Sequence, residues 1–203
     1  MTELKALLDQ IIALAATSDR IIVAIAGAPG SGKSTVVSKL AKSLGSAVVV
    51  PMDGFHLDNG ILQTRGMMAR KGCPDSFDTE GYLSLLRRIK EVKGTVYAPV
   101  FDRNADLSKS GAIEIPPEVK VVLTEGNYLL LEQAPWNQLH PLFDLSVLLT
   151  VDEATLRERL IDRWLTQGAS ERDAIKRAES NDLINAKLVD NHSTQADVFI
   201  RNF

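Results

Sequence analysis

A glycine-rich loop directly after a short apolar run constrains this chain more than any other feature. Residues 21–26 are continuously aliphatic, as in a strand buried on both faces of a sheet, and residues 33–44 favour a helix ending at Gly45. The joining loop fits the pattern G-x-x-x-x-G-K-[ST]. Its glycines let the backbone curl so that N–H groups and the helix N-terminus hold phosphate oxygens. The predicted nucleotide-binding residues are Gly27, Ala28, Pro29, Gly30, Ser31, Gly32, Lys33, Ser34 and Thr35.

Two side chains of this loop carry specific chemistry in the pattern. Lys33 supplies a mobile positive charge to the β and γ phosphates, and the Ser34 hydroxyl is placed to ligate Mg²⁺. The loop therefore predicts a bound nucleoside triphosphate together with Mg²⁺. ATP is the first expectation, and the choice between ATP and GTP stays open.

Aliphatic runs alternate with helical segments along the rest of the chain. This alternation predicts an α/β fold of the P-loop NTPase type, a parallel sheet sandwiched by helices, with ligands at the carboxyl ends of the strands. At 203 residues we expect one domain, 1–203. Two long, polar segments, 54–78 and 99–117, are expected to be functional or disordered loops. The other predicted strands are 47–52, 121–124, 145–151 and 198–200, and the other predicted helices are 1–20, 80–92, 153–165 and 170–188.

Composition excludes several partner classes. The net charge of −3 gives no basic footprint for coating nucleic acid. No apolar run approaches the ~18 residues of a membrane span. The acidic residues Glu3, Asp9 and Asp19 near the N-terminus are not typical of a secretion signal. Cys73 is the single cysteine, so no disulfide can form within the chain. We expect a cytoplasmic protein that binds neither nucleic acid nor membrane.

Other phosphate-binding classes fit less well. The glycines are spaced G-x-x-G-x-G, whereas a dinucleotide fold needs G-x-G-x-x-G. The N-K-x-D motif of switch GTPases and the L-S-G-G-Q signature of transporter ATPases do not occur, and the run 121–124 ends in Glu125 instead of the aspartate of most ATP hydrolases. These absences favour a small-molecule kinase.

Asp53 follows the second predicted strand, whose carboxyl end should lie near the phosphate loop. A carboxylate there can accept a proton from an attacking hydroxyl and align it with the γ phosphate. The alternative is that Asp53 caps a turn before Gly54. His56 is either a substrate contact or a structural hydrogen-bonding residue.

The pairing of GAPGSGKST with Met52-Asp53-Gly54-Phe55-His56-Leu57 resembles the P-loop kinase family of uridine kinase, pantothenate kinase and phosphoribulokinase. Three more segments agree: 70–78 resembles the stretch after the catalytic aspartate of pantothenate kinases, 97–103 a proline-aromatic substrate loop, and 121–128 a strand ending in Glu-Gly. The resemblance covers about residues 21–199. It is strongest to the compact bacterial branch named fructose-transport-system kinase.

The resemblance implies roles for residues outside the loop. Asp53 would be the catalytic base, and Glu125 would hold Mg²⁺ through a water, its alternative being a turn acid. A lid over about 153–190 would bring arginines to the phosphates, although a solvated helix face is their alternative. Asn181, Asp182 and Asn185 either pin the lid or touch nucleotide. The implied catalytic residues are Asp53, Lys33, Arg159 and Arg163, the further nucleotide contact is Arg157, and the substrate contacts are Phe55, His56, Arg70, Lys71, Tyr97, Asp102 and Arg103.

The acceptor is the least determined part of this prediction. A sugar of the fructose type is the first expectation, with pantothenate or a nucleoside as alternatives. A nucleotide-dependent switch with slow hydrolysis and a protein partner is the alternative from a different class. Arg70 and Lys71 could also close a contact between two copies, so a homodimer stays open.

Overall fold

Strand β1 (Ile21–Gly27) forms the middle of a five-stranded parallel sheet in a computed structural model that describes residues 2–91 and 93–201. Every residue of β1 is buried. Alternate side chains point to opposite faces, with Ile22 and Ala24 in one core and Ile21 and Val23 in the other. The sheet order is β2 (Val48–Pro51), β5 (Val121–Gly126), β1, β6 (Leu145–Thr150) and β7 (Val198–Arg201).

Helices cover both faces of this sheet, as the alternating pattern predicts. On one face α1 (Thr2–Ala16) and α2 (Lys33–Leu44) contribute Leu7 and Leu40 to the core. On the other face α4 (Thr79–Glu91) contributes Tyr82 and Leu86. The predicted α/β fold is therefore confirmed.

The predicted helices are found, with one change. Val92, the last residue of the predicted helix 80–92, lies outside the described residues, as does Met1 of the N-terminal helix. The segment predicted as a single helix over 170–188 is interrupted by a π turn at Ala178–Asp182, where the Leu183 N–H bonds to the Ala178 carbonyl. The helices of this part are α5 (Glu153–Thr166), α6 (Glu171–Arg177) and α7 (Leu183–His192).

The expectation of a loop over 99–117 is wrong. An antiparallel hairpin of β3 (Val96–Asp102) and β4 (Leu107–Ile115) occupies this region. Pro99 lies inside β3 and obscures the strand pattern, but it coincides with a register shift between Ala98 and Val100. A proline is tolerated there because the ladder is interrupted.

The segment 54–78 is also ordered, as helical turns around α3 (Asn59–Thr64). The hairpin approaches the start of this segment so closely that a Cβ at Gly54 would lie 2.5 Å from the Pro99 carbonyl oxygen. Only glycine admits this approach, which brings the hairpin against the turn that carries Asp53.

Among the described residues, no helix combines the length and apolarity needed to cross a bilayer.

Candidate active site

The phosphate loop lies at the carboxyl end of β1 and runs into α2. Gly30 and Gly32 have φ values of 81° and 88°, in the left-handed region that glycine adopts at little cost. Gly32 precedes α2, whose first turn contains no acidic residue. The N–H groups at this helix end therefore face a position suited to an anion.

Lys33 is buried in the loop, with 7% of its surface exposed. Its Nζ donates to the carbonyl oxygens of Gly27 and Ala28, both at 2.9 Å, and to Asn127 Oδ1 at 2.8 Å. Burial lowers the pKa of Lys33 to about 8, against the opposing effect of the Glu125 and Asp53 carboxylates. All three ammonium protons have partners, so the lysine is held charged and close to the loop.

Ser34 and Glu125 form the second part of the site. Ser34 Oγ donates to Glu125 Oε1 at 3.0 Å, and burial raises the pKa of Glu125, while Lys33 opposes this. A partly desolvated carboxylate gains from a nearby cation, and hydroxyl and carboxylate oxygens are the hard ligands that Mg²⁺ takes. This pair of side chains therefore fits a magnesium ion.

Asp53 lies next to this pair because β2 and β5 are neighbours. Pro51 of β2 is in register with Glu125 of β5, and the Met52–Phe55 turn follows at once. The Asp53 carboxylate raises the pKa values of both Lys33 and Glu125, which places its charge near theirs. Arg103 Nη2 donates to Asp53 Oδ2 at 2.8 Å, and the side chains are 64% and 29% exposed.

His56 and Phe55, both predicted substrate contacts, pack within the protein. His56 Nδ1 lies 2.8 Å from the Asp53 carbonyl oxygen, and its ring lies 4.1 Å from Phe77 and 4.6 Å from Phe101 between centroids. Burial lowers the pKa of His56, which favours the neutral ring. Phe55 packs against the core. Their contact with substrate stays a prediction.

Helix α5 carries the three candidate arginines. Arg159 Nη1 lies 3.4 Å from the Gly30 carbonyl oxygen in the phosphate loop. Arg163 lies near enough to Lys33 to lower its pKa, and its Nη2 lies 3.5 Å from Asp182. Arg157 instead pairs with Glu179 at 2.7 Å. Arg159 thus contacts the loop, Arg163 lies within electrostatic reach of Lys33, and Arg157 is engaged within the helical unit.

The polar cluster of the π turn joins α5 to the 54–78 segment. Asp182 accepts from Trp164 Nε1 at 2.7 Å. Asn181 Nδ2 donates to the Lys71 carbonyl at 2.9 Å, and Asn185 Nδ2 lies 3.5 Å from the Gly72 carbonyl. The sequence analysis left two roles open for this cluster, holding the lid in place or contacting nucleotide. These bonds are of the kind that hold the helices in place.

Two of the remaining predicted substrate residues, Lys71 and Asp102, are engaged within the protein. Lys71 Nζ donates to Asn59 Oδ1 and Asp106 Oδ1, both at 2.7 Å. Asp102 pairs with Lys109 at 2.6 Å. Tyr97 is 55% exposed, and Arg70 lines a cavity of about 300 Å³. Their predicted contact with substrate stays a prediction.

Asn127 is a site residue that the sequence analysis missed. Its Oδ1 accepts a hydrogen bond from Lys33 Nζ, which lies 94 residues away in the chain. The signal available was its position directly after Glu125-Gly126, close to the carboxylate that the resemblance assigns to Mg²⁺.

Comparison with known proteins agrees with this geometry. Residues 23–180 match the model of a family described as an AAA domain. A relative from Schizosaccharomyces pombe, provisionally named a uridine kinase, is 33% identical over 96% of this chain and 88% of its own length. Pantothenate kinase from Enterococcus faecalis is 30% identical over 70% of this chain, which spans 49% of that enzyme.

A solved structure is still more similar. It is a protein from Silicibacter sp. TM1040, provisionally named a fructose transport system kinase, with 42% identity, a TM-score of 0.91 and coverage of 97% of this chain and 98% of that one. The chain therefore belongs to the family described as an AAA domain and to the P-loop kinases of uridine kinase and pantothenate kinase type.

Proposed function

We propose that this kinase transfers the γ-phosphoryl group of ATP to a hydroxyl of a small polyhydroxylated metabolite, a sugar or a close relative of one. The proposal rests on one observation: four side chains lie close together at one edge of the sheet, namely Lys33, Ser34, Asp53 and Glu125. The name of the Silicibacter relative supports the sugar. The names uridine kinase and pantothenate kinase keep a nucleoside and pantothenate as alternatives.

The phosphate loop and Lys33 would bind the triphosphate. Backbone N–H groups of residues 27–35 other than Pro29, and the N-terminus of α2, would donate to its oxygens, and Lys33 would exchange a loop carbonyl for a phosphate oxygen. Ser34 and Glu125 would hold Mg²⁺, which when bound neutralises charge on the β and γ phosphates.

Asp53 would be the base. Its Oδ2 is paired with Arg103, which leaves Oδ1 to accept the proton of the acceptor hydroxyl. The hydroxyl oxygen forms a bond to the γ phosphorus, the bond from that phosphorus to the ADP oxygen breaks, and the products are ADP and a phosphate ester. Arg159 and Arg163 would stabilise the charge on the transferring group from α5.

The test is ADP release with MgATP over a panel of sugars, sugar derivatives, nucleosides and pantothenate, with GTP in parallel. One acceptor should raise ADP release well above the rate with ATP alone. Asp53→Asn should lower that turnover by ~10²-fold or more and retain ATP binding by calorimetry. Asp75→Asn, an exposed acid in the neighbouring segment, is the matched control and should keep wild-type turnover.

Three results would contradict the proposal or one of its parts. Turnover of Asp53→Asn close to wild type would remove the base. A panel on which no acceptor raises ADP release, with equal slow hydrolysis in both proteins, would favour a nucleotide-dependent switch. Unchanged ATP affinity in Lys33→Ala would contradict the assignment of the phosphate loop.

A further inference from the structure

The ion pair between Arg103 and Asp53 ties the acceptor side of the site to the hairpin. Arg103 begins the turn between β3 and β4, and one of its nitrogens donates to Asp53 Oδ2 at 2.8 Å. A guanidinium carries five N–H donors, and 64% of this side chain is exposed. Donors of Arg103 are therefore available beside the carboxylate proposed as the base.

Neighbouring cations have partners that take no part in the proposed reaction. Lys71 is paired with Asp106, and Lys109 with Asp102. Lys33 is held by carbonyl and amide oxygens. Arg103 differs because its counter-ion is Asp53 itself. When Asp53 accepts the acceptor's proton it loses its charge, so Arg103 loses its direct ion-pair partner and keeps the more distant charge of Glu125.

An anion supplied by the acceptor would give Arg103 a direct partner again. The guanidinium fork matches a carboxylate or a phosphate with two parallel hydrogen bonds. We propose that the acceptor carries a carboxylate or phosphate group close to the hydroxyl that is phosphorylated, and that this group replaces Asp53 as the partner of Arg103. This inference rests on the proposed function and narrows its acceptor to an anionic metabolite, such as a sugar acid or a sugar phosphate.

The test compares acceptors in pairs, of which one member carries the anionic group and the other a neutral group or none. Gluconate is paired with sorbitol, glycerate with glycerol, pantothenate with its alcohol, and ribose 5-phosphate with ribose, so that separate arms distinguish carboxylate from phosphate. The anionic member of at least one pair should have a kcat/KM about 10- to 100-fold above its neutral partner, the scale of a charge-assisted hydrogen bond.

Arg103 variants decide whether this preference comes from the proposed contact. Arg103→Gln should raise the KM for the anionic acceptor and bring the ratio of kcat/KM between the anionic and neutral members towards one. Arg103→Lys should restore part of the preference for the anionic member. Lys109→Gln removes the same charge from the same hairpin and should keep the wild-type ratio. The proposal is overturned if neutral members react as well as anionic ones, or if Arg103→Gln slows both members equally, which indicates that Arg103 only positions Asp53.

A binding measurement keeps the inference separate from the proposed reaction. The same four anions are titrated by calorimetry into the ADP-bound protein at constant ionic strength. Binding of one of them to wild type, and its loss in Arg103→Gln, would support the anion site even if no acceptor is turned over. Absence of binding by all four probes would overturn the inference, whatever the kinase assay shows.

Discussion

Replacing Asn127 by alanine tests how Lys33 keeps its charge in a buried position. The change removes one of the three acceptors around Nζ, at 2.8 Å, from an ammonium that is 7% exposed. A hydrogen bond to a charged group contributes about 1.5–3 kcal/mol, and one pH unit corresponds to about 1.4 kcal/mol. The pKa of Lys33, about 8 in the wild type, should therefore fall by about one to two pH units.

The assay is ATP affinity by calorimetry as a function of pH. ATP affinity should decrease with rising pH because the protonated form of Lys33 is the one that binds phosphate. In the wild type, affinity should fall as the pH rises through about 8, by at most about tenfold per pH unit. In Asn127→Ala the same fall should begin about one to two pH units lower, so that affinity is already reduced at neutral pH.

Asn127→Asp is the matched control with the opposite sign. A carboxylate beside Nζ favours the ammonium form, so the fall should move to a pH above that of the wild type. If ATP affinity falls over the same pH range in both variants as in the wild type, Asn127 does not control the charge of Lys33.

Three further changes test the packing around the site. Leu160→Ala empties a fully buried position between Ala28 and α7 and should lower the free energy of unfolding in urea by about 2–5 kcal/mol; a loss near zero would show that α5 does not support the loop. Gly54→Ala places a Cβ 2.5 Å from the Pro99 carbonyl oxygen and should cost about 1–3 kcal/mol in the same assay and reduce kcat, while wild-type values would show that the hairpin shifts freely. Lys71→Met removes the bonds to Asn59 and Asp106; we expect a lower Tm and a higher KM for the acceptor with unchanged ATP affinity, and a change in ATP affinity alone would contradict this.

The neighbourhood of Lys33, Asp53 and Glu125 could be predicted from the sequence because parallel strands end at one edge of a sheet. Each of these residues follows a recognisable aliphatic run. The partner of Arg103 could not be predicted, since the two residues are 50 apart in the chain and meet only because Gly54 admits the hairpin. The partnership of Asn127 with Lys33 was missed for a similar reason.

The hairpin and the π turn show the limits of local pattern. Pro99 hides a strand whose ladder is already interrupted at that point. The interruption at Ala178–Asp182 lies in a segment whose periodicity predicts one helix, and bonds to Trp164 and Lys71 accompany it. The π turn makes hydrogen bonds to residues far away in the chain, and the hairpin strands pair with each other across an irregularity that their local pattern does not show.

By itself, the sequence determined the phosphate loop and the buried parallel sheet, because both are written in short segments: a glycine pattern that sets the backbone, and aliphatic runs that must be covered on both faces. Only the tertiary structure decided which polar and charged side chains meet. Lys33 and Asn127 are 94 residues apart in the chain, and Asp53 and Arg103 are 50 residues apart. The physical reason is that a hydrogen bond or an ion pair depends on distances of a few ångströms, and the packing of the whole chain sets those distances.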